Sequence, residues 1–297
     1  MIFQSPAKIN LYLHIKGKYQ NNFHEIDSLF VRIDLHDDLD ISCTQDPYIE
    51  RFGDLSHLRK NDLCYRAAIA LKEKSGCNLG CRLTLKKRIP IGAGLGGGSS
   101  NAATVLMGLN RLWELKYSKD ELKFVGKQIG ADVPFFIEQS NCFATGMGEN
   151  LNAIKNEQFI PKFYVILTPN IKISTALVFK KFQLNKQHLT RPKMSVLSRA
   201  EMLSSQKPYF TFGCNDLEST VSYLFPMIKK YIREMKNVAS MLGIPVECCR
   251  MSGSGSTLFC GFYTKEAAVT YTQKLCDHLK KSQIHEKPNV LISSLFH

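Results

Sequence analysis

Between Pro90 and Ser100 the chain reads PIGAGLGGGSS, with five glycines in the seven positions from Gly92 to Gly98. Glycine loses more backbone freedom on folding than any other residue, so such a run is tolerated where a second backbone or a ligand must come very close. Directly afterwards Val105, Leu106, Leu109, Leu112 and Trp113 recur at helical spacing. The loop therefore empties into a helix, with Ser99 or Ser100 as the expected N-cap. Unpaired N–H groups and a positive dipole end at such a terminus suit phosphate. No lysine follows the glycines, which excludes the Walker pattern. Gly92-x-Gly94-x-x-Gly97 meets the bare dinucleotide pattern, but Pro90 cuts it from the strand before. The acidic Glu114 lies within the helix instead of closing a second strand.

At 297 residues the chain is long enough for two ordinary domains. Residues 150–161 are polar and end at Pro161, which places the expected boundary between domains at 1–160 and 161–297. Apolar content of 44% and charged content of 22% are those of a globular chain. Lys+Arg 39 against Asp+Glu 26 gives +13, a surface field that favours anions. The basic residues are scattered in short groups such as Lys86-Lys87-Arg88, without the interleaved aromatics of a single-strand binder. Small phosphorylated substrates are expected, and neither nucleic acid nor membrane. Ten cysteines lack zinc spacing, and Cys64, Cys142 and Cys260 sit in apolar segments as small hydrophobes. Lys8 and Asn10 interrupt any leader-like run, and no apolar stretch approaches spanning length. The expected home is a reducing cytoplasm, as a monomer or weak homodimer.

Along the chain, Ile9, Leu11, Leu13 and Ile15 alternate with Asn10, Tyr12 and His14, which predicts a half-buried strand over 2–16 with Lys8 at its mouth. An apolar segment from His24 to Ile33 and a separate short strand from Leu39 follow. Asn61-Asp62 caps a helix that Gly76 stops. Ser118-x-x-Glu121 is a capping box, opening a helix that ends at Gly130. Asp132 then stands alone as a carboxylate in the apolar run to Phe136. The stretch 183–210 is polar and basic, an expected surface insertion. Phe225 to Met241 reads as helical, with Pro226 acceptable in its first turn, and Thr264 caps another helix to about Lys281. Met251-Ser-Gly-Ser-Gly-Ser-Thr257 is a second glycine loop. The second half alternates strands and helices, as for helices laid on one sheet.

Lys8, the main glycine loop, Asp132 and the second loop need one chemistry. Phosphoryl transfer asks for a phosphate cradle, cations over the moving group, and a carboxylate for the acceptor hydroxyl. Three motifs carry a family resemblance: Pro6-Ala7-Lys8-Ile9-Asn10-Leu11, the run from Pro90 to Ala103, and Met251-Ser-Gly-Ser-Gly255. In this order they resemble the motifs of the GHMP small-molecule kinases. Phe23-His24-Glu25-Ile26, Gly130-Ala-Asp-Val-Pro-Phe-Phe136, Ala144 to Glu149 and Asn215-Asp-Leu-Glu218 are similar to signatures of the branch that acts on a cytidine diphosphate substrate.

The resemblance implies an α+β fold of two lobes with the active site in the cleft between them. It implies an N-terminal ATP-binding domain (1–160) and a C-terminal GHMP domain (161–297). The implied activity is an ATP-dependent, Mg²⁺-assisted phosphorylation of the 2-hydroxyl of 4-diphosphocytidyl-2-C-methyl-D-erythritol, in the non-mevalonate route to isoprenoid precursors. Carried over residue by residue, Asp132 would be the general base and Lys8 its partner, keeping the carboxylate ionised. Alone, each has a plainer reading, as a turn residue and a surface lysine. Pro90, Ile91, Gly92, Ala93, Gly94, Leu95, Gly96, Gly97, Gly98, Ser99 and Ser100 would bind ATP, and Ser99 or Ser100 could meet Mg²⁺. Lys87 has two open readings, a nucleotide contact or part of a solvated run. Phe23 would stack on the cytosine, where tyrosine is common, and His24 would read its edge with one donor and one acceptor. Asn10 and Thr175 are candidates for the methylerythritol diphosphate portion. Asp62 stands where the family carries asparagine, which puts the adenine contact in question. A sister kinase acting on homoserine or mevalonate is the nearest rival, and a basic nucleic-acid binder that keeps the fold is the rival of another class.

Overall fold

Two long strands open the chain, β1 (Ile2–Lys18) and β2 (His24–Thr44), and they pair with each other. The computed structural model describes residues 1–185, 187–188, 209–282, 284 and 286–296. Most of the basic stretch expected as an insertion at 183–210 lies outside the described residues. β1 departs from the half-buried expectation, because Asn10, Tyr12 and His14 are as buried as the aliphatic residues between them. Each has a side-chain polar atom bonded internally. The Asn10 amide donates to Ser28 Oγ at 2.9 Å, Tyr12 donates to Asp27 Oδ1 at 3.0 Å, and His14 Nε2 accepts from the Cys214 N–H at 3.2 Å. Polar groups are buried without penalty only when paired in this way. β2 is one continuous strand where the sequence suggests two, since the mostly polar residues 34–38 between its apolar stretches stay extended.

The chain forms two compact units interleaved in sequence, where the sequence reading divides it once at 160–161. The first contains Met1–Lys8, Leu35–Ile91 and Gly96–Ser140, and the second Ile9–Asp34, Gly92–Leu95 and Asn141–His297. In the first, the C-terminal half of β2 pairs antiparallel with β4 (Gly80–Lys86), and β3 (Ile49–Gly53) runs parallel to β4. Four helices accompany them: α1 (Leu63–Ser75), α2 (Gly97–Leu112), α3 (Lys119–Ile129) and α4 (Val133–Glu138). The expected ends hold. Asp62 caps α1 through the Cys64 and Tyr65 N–H groups, Gly76 closes it in the left-handed conformation, and Ser118 and Glu121 form the capping box of α3. Gly108 lets α2 lie close on β2, since a Cβ there would stand 2.7 Å from Ile41 Cδ1.

In the second unit the N-terminal half of β2 pairs with β5 (Cys142–Gly146), which pairs with β6 (Asn150–Ala153). A second, antiparallel sheet has the order β10-β7-β9-β8, built from β7 (Phe163–Thr168), β8 (Cys249–Met251), β9 (Leu258–Phe262) and β10 (Asn289–Ser294). Helices α5 (Thr175–Lys181), α6 (Glu218–Leu224), α7 (Pro226–Met241) and α8 (Lys265–Lys281) belong to the same unit. α7 and α8 pack on each other and on this sheet. Between them His278 Nε2 lies 2.8 Å from Glu234 Oε2. Burial raises the Glu234 pKa, but hydrogen bonds from His278, Arg233 and Asn237 outweigh it and hold the carboxyl below its ordinary 4.5. A lowered carboxylate contributes stability that is present above the unfolded pKa and lost as pH falls through the folded one. Glu234→Gln is therefore expected to flatten the acid limb of a melting-temperature profile below pH 4.5. An unchanged acid limb would count against the pairing. All ten cysteines are free thiols, and no helix among the described residues is long and apolar enough to cross a membrane.

Candidate active site

α2 starts earlier than the serines suggest. Gly96 is its N-cap in the left-handed conformation (φ 69°), without a side-chain cap, and the first backbone bond runs from Ser100 N–H to Gly96 O at 2.9 Å. Ser99 and Ser100 are thus the third and fourth helical residues and not its caps, because Gly97 and Gly98 accept helical dihedrals once Gly96 has made the turn. The first-turn N–H groups of Gly97, Gly98 and Ser99 have no intrahelical acceptor. Ser100 Oγ is buried with no hydrogen-bond partner among the described residues. The glycines are spacers as well. A Cβ on Gly96 would meet the Phe136 ring at 3.0 Å and Lys8 Cγ at 3.1 Å, and one on Gly97 would meet Lys87 Nζ at 3.1 Å.

Lys8 and Asp132 come together in this unit. Lys8 Nζ lies 3.7 Å from Asp132 Oδ2, with the lysine side chain buried and the carboxylate 34% exposed. Asp132 precedes α4 without capping it, since its side chain accepts no N–H from that helix. A carboxylate that holds no structural bond at a helix start, beside a buried ammonium, is available to a ligand. The plainer reading fails for Lys8, which is buried and not a surface lysine; Asp132 does stand in the turn that follows Gly130, but its side chain caps nothing there. Ser99 is on the same side, its Oγ 3.5 Å from where a Cβ on Gly130 would stand.

Lys87 is not part of a solvated run. Its ammonium is paired with the wholly buried Asp37 carboxylate, which also accepts the Arg88 and Ile89 N–H groups at 2.7 and 2.8 Å. Lys86 alone of that pair of lysines is exposed. Asp62 is fully engaged, since besides capping α1 it pairs with Arg51 Nη2 at 2.9 Å.

In the second unit, Gly92–Leu95 lies against the loop 252–257. Ser252 Oγ donates to Gly94 O at 3.3 Å and the Thr257 N–H to Ala93 O at 3.2 Å, while Ala93 and Leu95 are buried. Asn10 is buried and donates its backbone N–H to Ser252 Oγ at 3.2 Å. The Asn215 amide clamps the same loop through Met251 O and Gly253 O at 2.7 and 2.8 Å. Thr175 Oγ1 is 2.8 Å from Ser254 Oγ. Ser256 Oγ and Thr257 Oγ1 are buried with no partner among the described residues. The His24 ring packs against Phe179 (5.2 Å between centroids) and Phe182 (6.0 Å). Burial, and then the nearby Lys18, hold the His24 pKa below its ordinary value, so the ring is neutral at pH 7. Phe23 is 62% exposed, leaving a free aromatic face next in sequence to His24.

Residues 62–140 match the family described as GHMP kinases N terminal domain. The chain is 39% identical to the 4-diphosphocytidyl-2-C-methyl-D-erythritol kinase of Pasteurella multocida, over 95% of this chain and 91% of that protein. It is 36% identical to the enzyme of the same name from Paraburkholderia phymatum, over 91% and 88%. The chain belongs to the 4-diphosphocytidyl-2-C-methyl-D-erythritol kinase family. A solved structure titled 4-(cytidine 5'-diphospho)-2C-methyl-D-erythritol kinase superposes with a TM-score of 0.78 at 29% identity, covering 99% of each chain. The α+β fold expected from the sequence is therefore that of the GHMP kinases. Against this kinase frame, sequence reasoning missed Asp37, Phe179 and the clamp made by Asn215. Asp37 hides in the charged run His36-Asp-Asp-Leu-Asp40, which reads as solvated surface. Phe179 and Phe182 do carry a signal, two aromatics three residues apart, one on α5 and one just past its end.

Proposed function

We infer that this protein transfers the γ-phosphoryl group of ATP to the 2-hydroxyl of 4-diphosphocytidyl-2-C-methyl-D-erythritol. The observation that carries the mechanism is the partly exposed Asp132 carboxylate beside the buried Lys8 ammonium, whose stem packs on Gly96 at the start of α2. Asp132 orients the acceptor hydroxyl and takes its proton as the oxygen–phosphorus bond forms and ADP leaves. In a loose transition state the proton moves late, so orientation is the larger part of its work. Lys8 keeps Asp132 ionised in the resting site and stabilises negative charge on the transferring group. Phosphate oxygens are taken by the free N–H groups at the α2 N-terminus, with Pro90 and Ile91 of the same unit shaping the approach.

The chemistry Mg²⁺ supplies when bound is neutralisation of charge on the phosphate oxygens. No group of three or more His, Cys, Asp or Glu among the described residues could cage a metal ion. That suits Mg²⁺, which keeps much of its water and is held chiefly by substrate phosphates. The unpartnered Ser100 hydroxyl, or that of Ser99, would meet it.

On the acceptor side, Phe23 and His24 recognise the cytosine, and Asn10 and Thr175 frame the methylerythritol diphosphate. Neutral His24 offers one donor and one acceptor, and protonation removes the acceptor. Because its pKa is lowered, KM for the cytidine substrate is expected to be flat above pH 6.5 and to rise below the folded pKa. His24→Gln should lose that rise; a rise that persists in the variant would remove His24 from recognition. The reading as a whole is tested by ADP release with ATP and Mg²⁺, offering the cytidine compound beside homoserine and mevalonate. Turnover on the cytidine compound alone supports it, and turnover on either other alcohol instead overturns it.

A further inference from the structure

The wholly buried Asp37 has three donors and no place in the chemistry above. It ties Arg88 N–H and Ile89 N–H with one oxygen and the Lys87 ammonium with the other. Lys87 Nζ in turn stands 3.1 Å from the Cβ position of Gly97, the first residue of α2. An ammonium beside the positive end of a helix is electrostatically out of place. Left alone, a long lysine side chain would swing to water, where its charge is solvated and its rotamers are free. The Asp37 carboxylate reverses that balance. It holds the ammonium at the helix terminus before any anion arrives, so the cation and the first-turn N–H groups already face one place.

We propose that Asp37 is a positioning residue for nucleotide binding, acting through Lys87. This rests on the ATP reading above. Preorganisation of this kind lowers the ordering cost of binding without adding a contact to the ligand. Asparagine at position 37 keeps its one oxygen for the Arg88 and Ile89 N–H groups and presents its NH₂ to the ammonium, so it separates positioning from loop anchoring.

The test uses Asp37→Asn, Lys87→Met and the double variant, with calorimetric binding of a non-hydrolysable ATP analogue, steady-state kinetics and thermal melts. Each single variant is expected to weaken analogue binding and raise KM for ATP about tenfold, with kcat at saturating ATP within about twofold. Each single leaves a buried charge without its counter-charge, whereas the double variant carries no charge on either side. Its melting temperature should therefore exceed that of both singles while its affinity stays as low as theirs. Asp37→Asn binding the analogue like the parent overturns the inference, and so does affinity that recovers in the double variant together with stability. Should Asp37→Asn not fold, Lys87→Met and the double variant carry the same comparison. A parent protein that fails to bind the analogue defeats the ATP reading, and this inference with it.

Discussion

Asp132→Asn is expected to lower kcat about 1,000-fold, within the range that a positioned acid or base contributes, with only a modest fall in melting temperature. The two halves of that expectation come from the same geometry. The carboxylate is 34% exposed and caps nothing, and its partner Lys8 is 3.7 Å away, too long for a strong hydrogen bond. Asparagine is nearly isosteric and the carboxylate is partly solvated, but the substitution takes a counter-charge from the buried Lys8 ammonium, a cost of about 1–3 kcal/mol. The reaction loses its proton acceptor, and an amide offers the hydroxyl a mixed donor and acceptor in place of two acceptor oxygens. KM for ATP should hold, since the proposed site holds the nucleotide through backbone N–H groups that the substitution does not touch. Lys8→Met makes a useful contrast. It removes a buried ammonium and leaves Asp132 without its counter-charge, so it should reduce both turnover and stability. An Asp132→Asn protein that turns over at even a tenth of the parental rate would end the role assigned to this carboxylate.

Local rules written in adjacent residues were legible: Asp62 and Gly76 at the ends of α1, Ser118 with Glu121, Pro226 at the first turn of α7, Thr264 at the start of α8. Each of these is decided within a turn of chain by where orphan N–H and C=O groups find partners. Of the residues singled out from sequence, Lys8, Asp132 and Gly96 do come together, and each stood out because its residue type has few uses in that setting. What escaped depends on partners distant in sequence. Asn10, Tyr12 and His14 look like the wet face of a strand until Ser28, Asp27 and Cys214 supply their bonds. Asp37 looks like surface until Lys87, 50 residues on, closes on it. The start of α2 was misplaced because serine is the better cap by preference, whereas Gly96 is selected by its left-handed turn and by the close approach of Lys8 and Phe136.

The same three glycines give a graded prediction, because Gly92, Gly94 and Gly96 share one backbone conformation and differ in what surrounds them. Their φ values are 69°, 76° and 69°, so alanine at any of them meets the left-handed cost of about 1–2 kcal/mol. At Gly92 the new methyl would meet only Lys172 side-chain carbons at 3.8 Å, an ordinary contact. At Gly94 it would stand 2.6 Å from Ser252 O and 2.8 Å from Gly255 O, both backbone atoms of the second glycine loop. That loop cannot yield freely, since Asn215 and the Asn10 N–H hold it. Overpacking of this kind adds about 1–3 kcal/mol, so Gly94→Ala should cost about 3 kcal/mol in total. It should also impair nucleotide binding by displacing Gly92–Leu95. Gly96→Ala falls between in stability, because the Phe136 ring and the Lys8 stem are side chains that can shift by a few tenths of an ångström. That shift moves Lys8 relative to Asp132, so this variant should lose more turnover than its melting temperature implies. Denaturation midpoints for the three alanine variants, read beside kcat, check the order. Equal destabilisation at Gly92 and Gly94 would mean that backbone conformation alone selects these glycines and that the packing of the two loops does not.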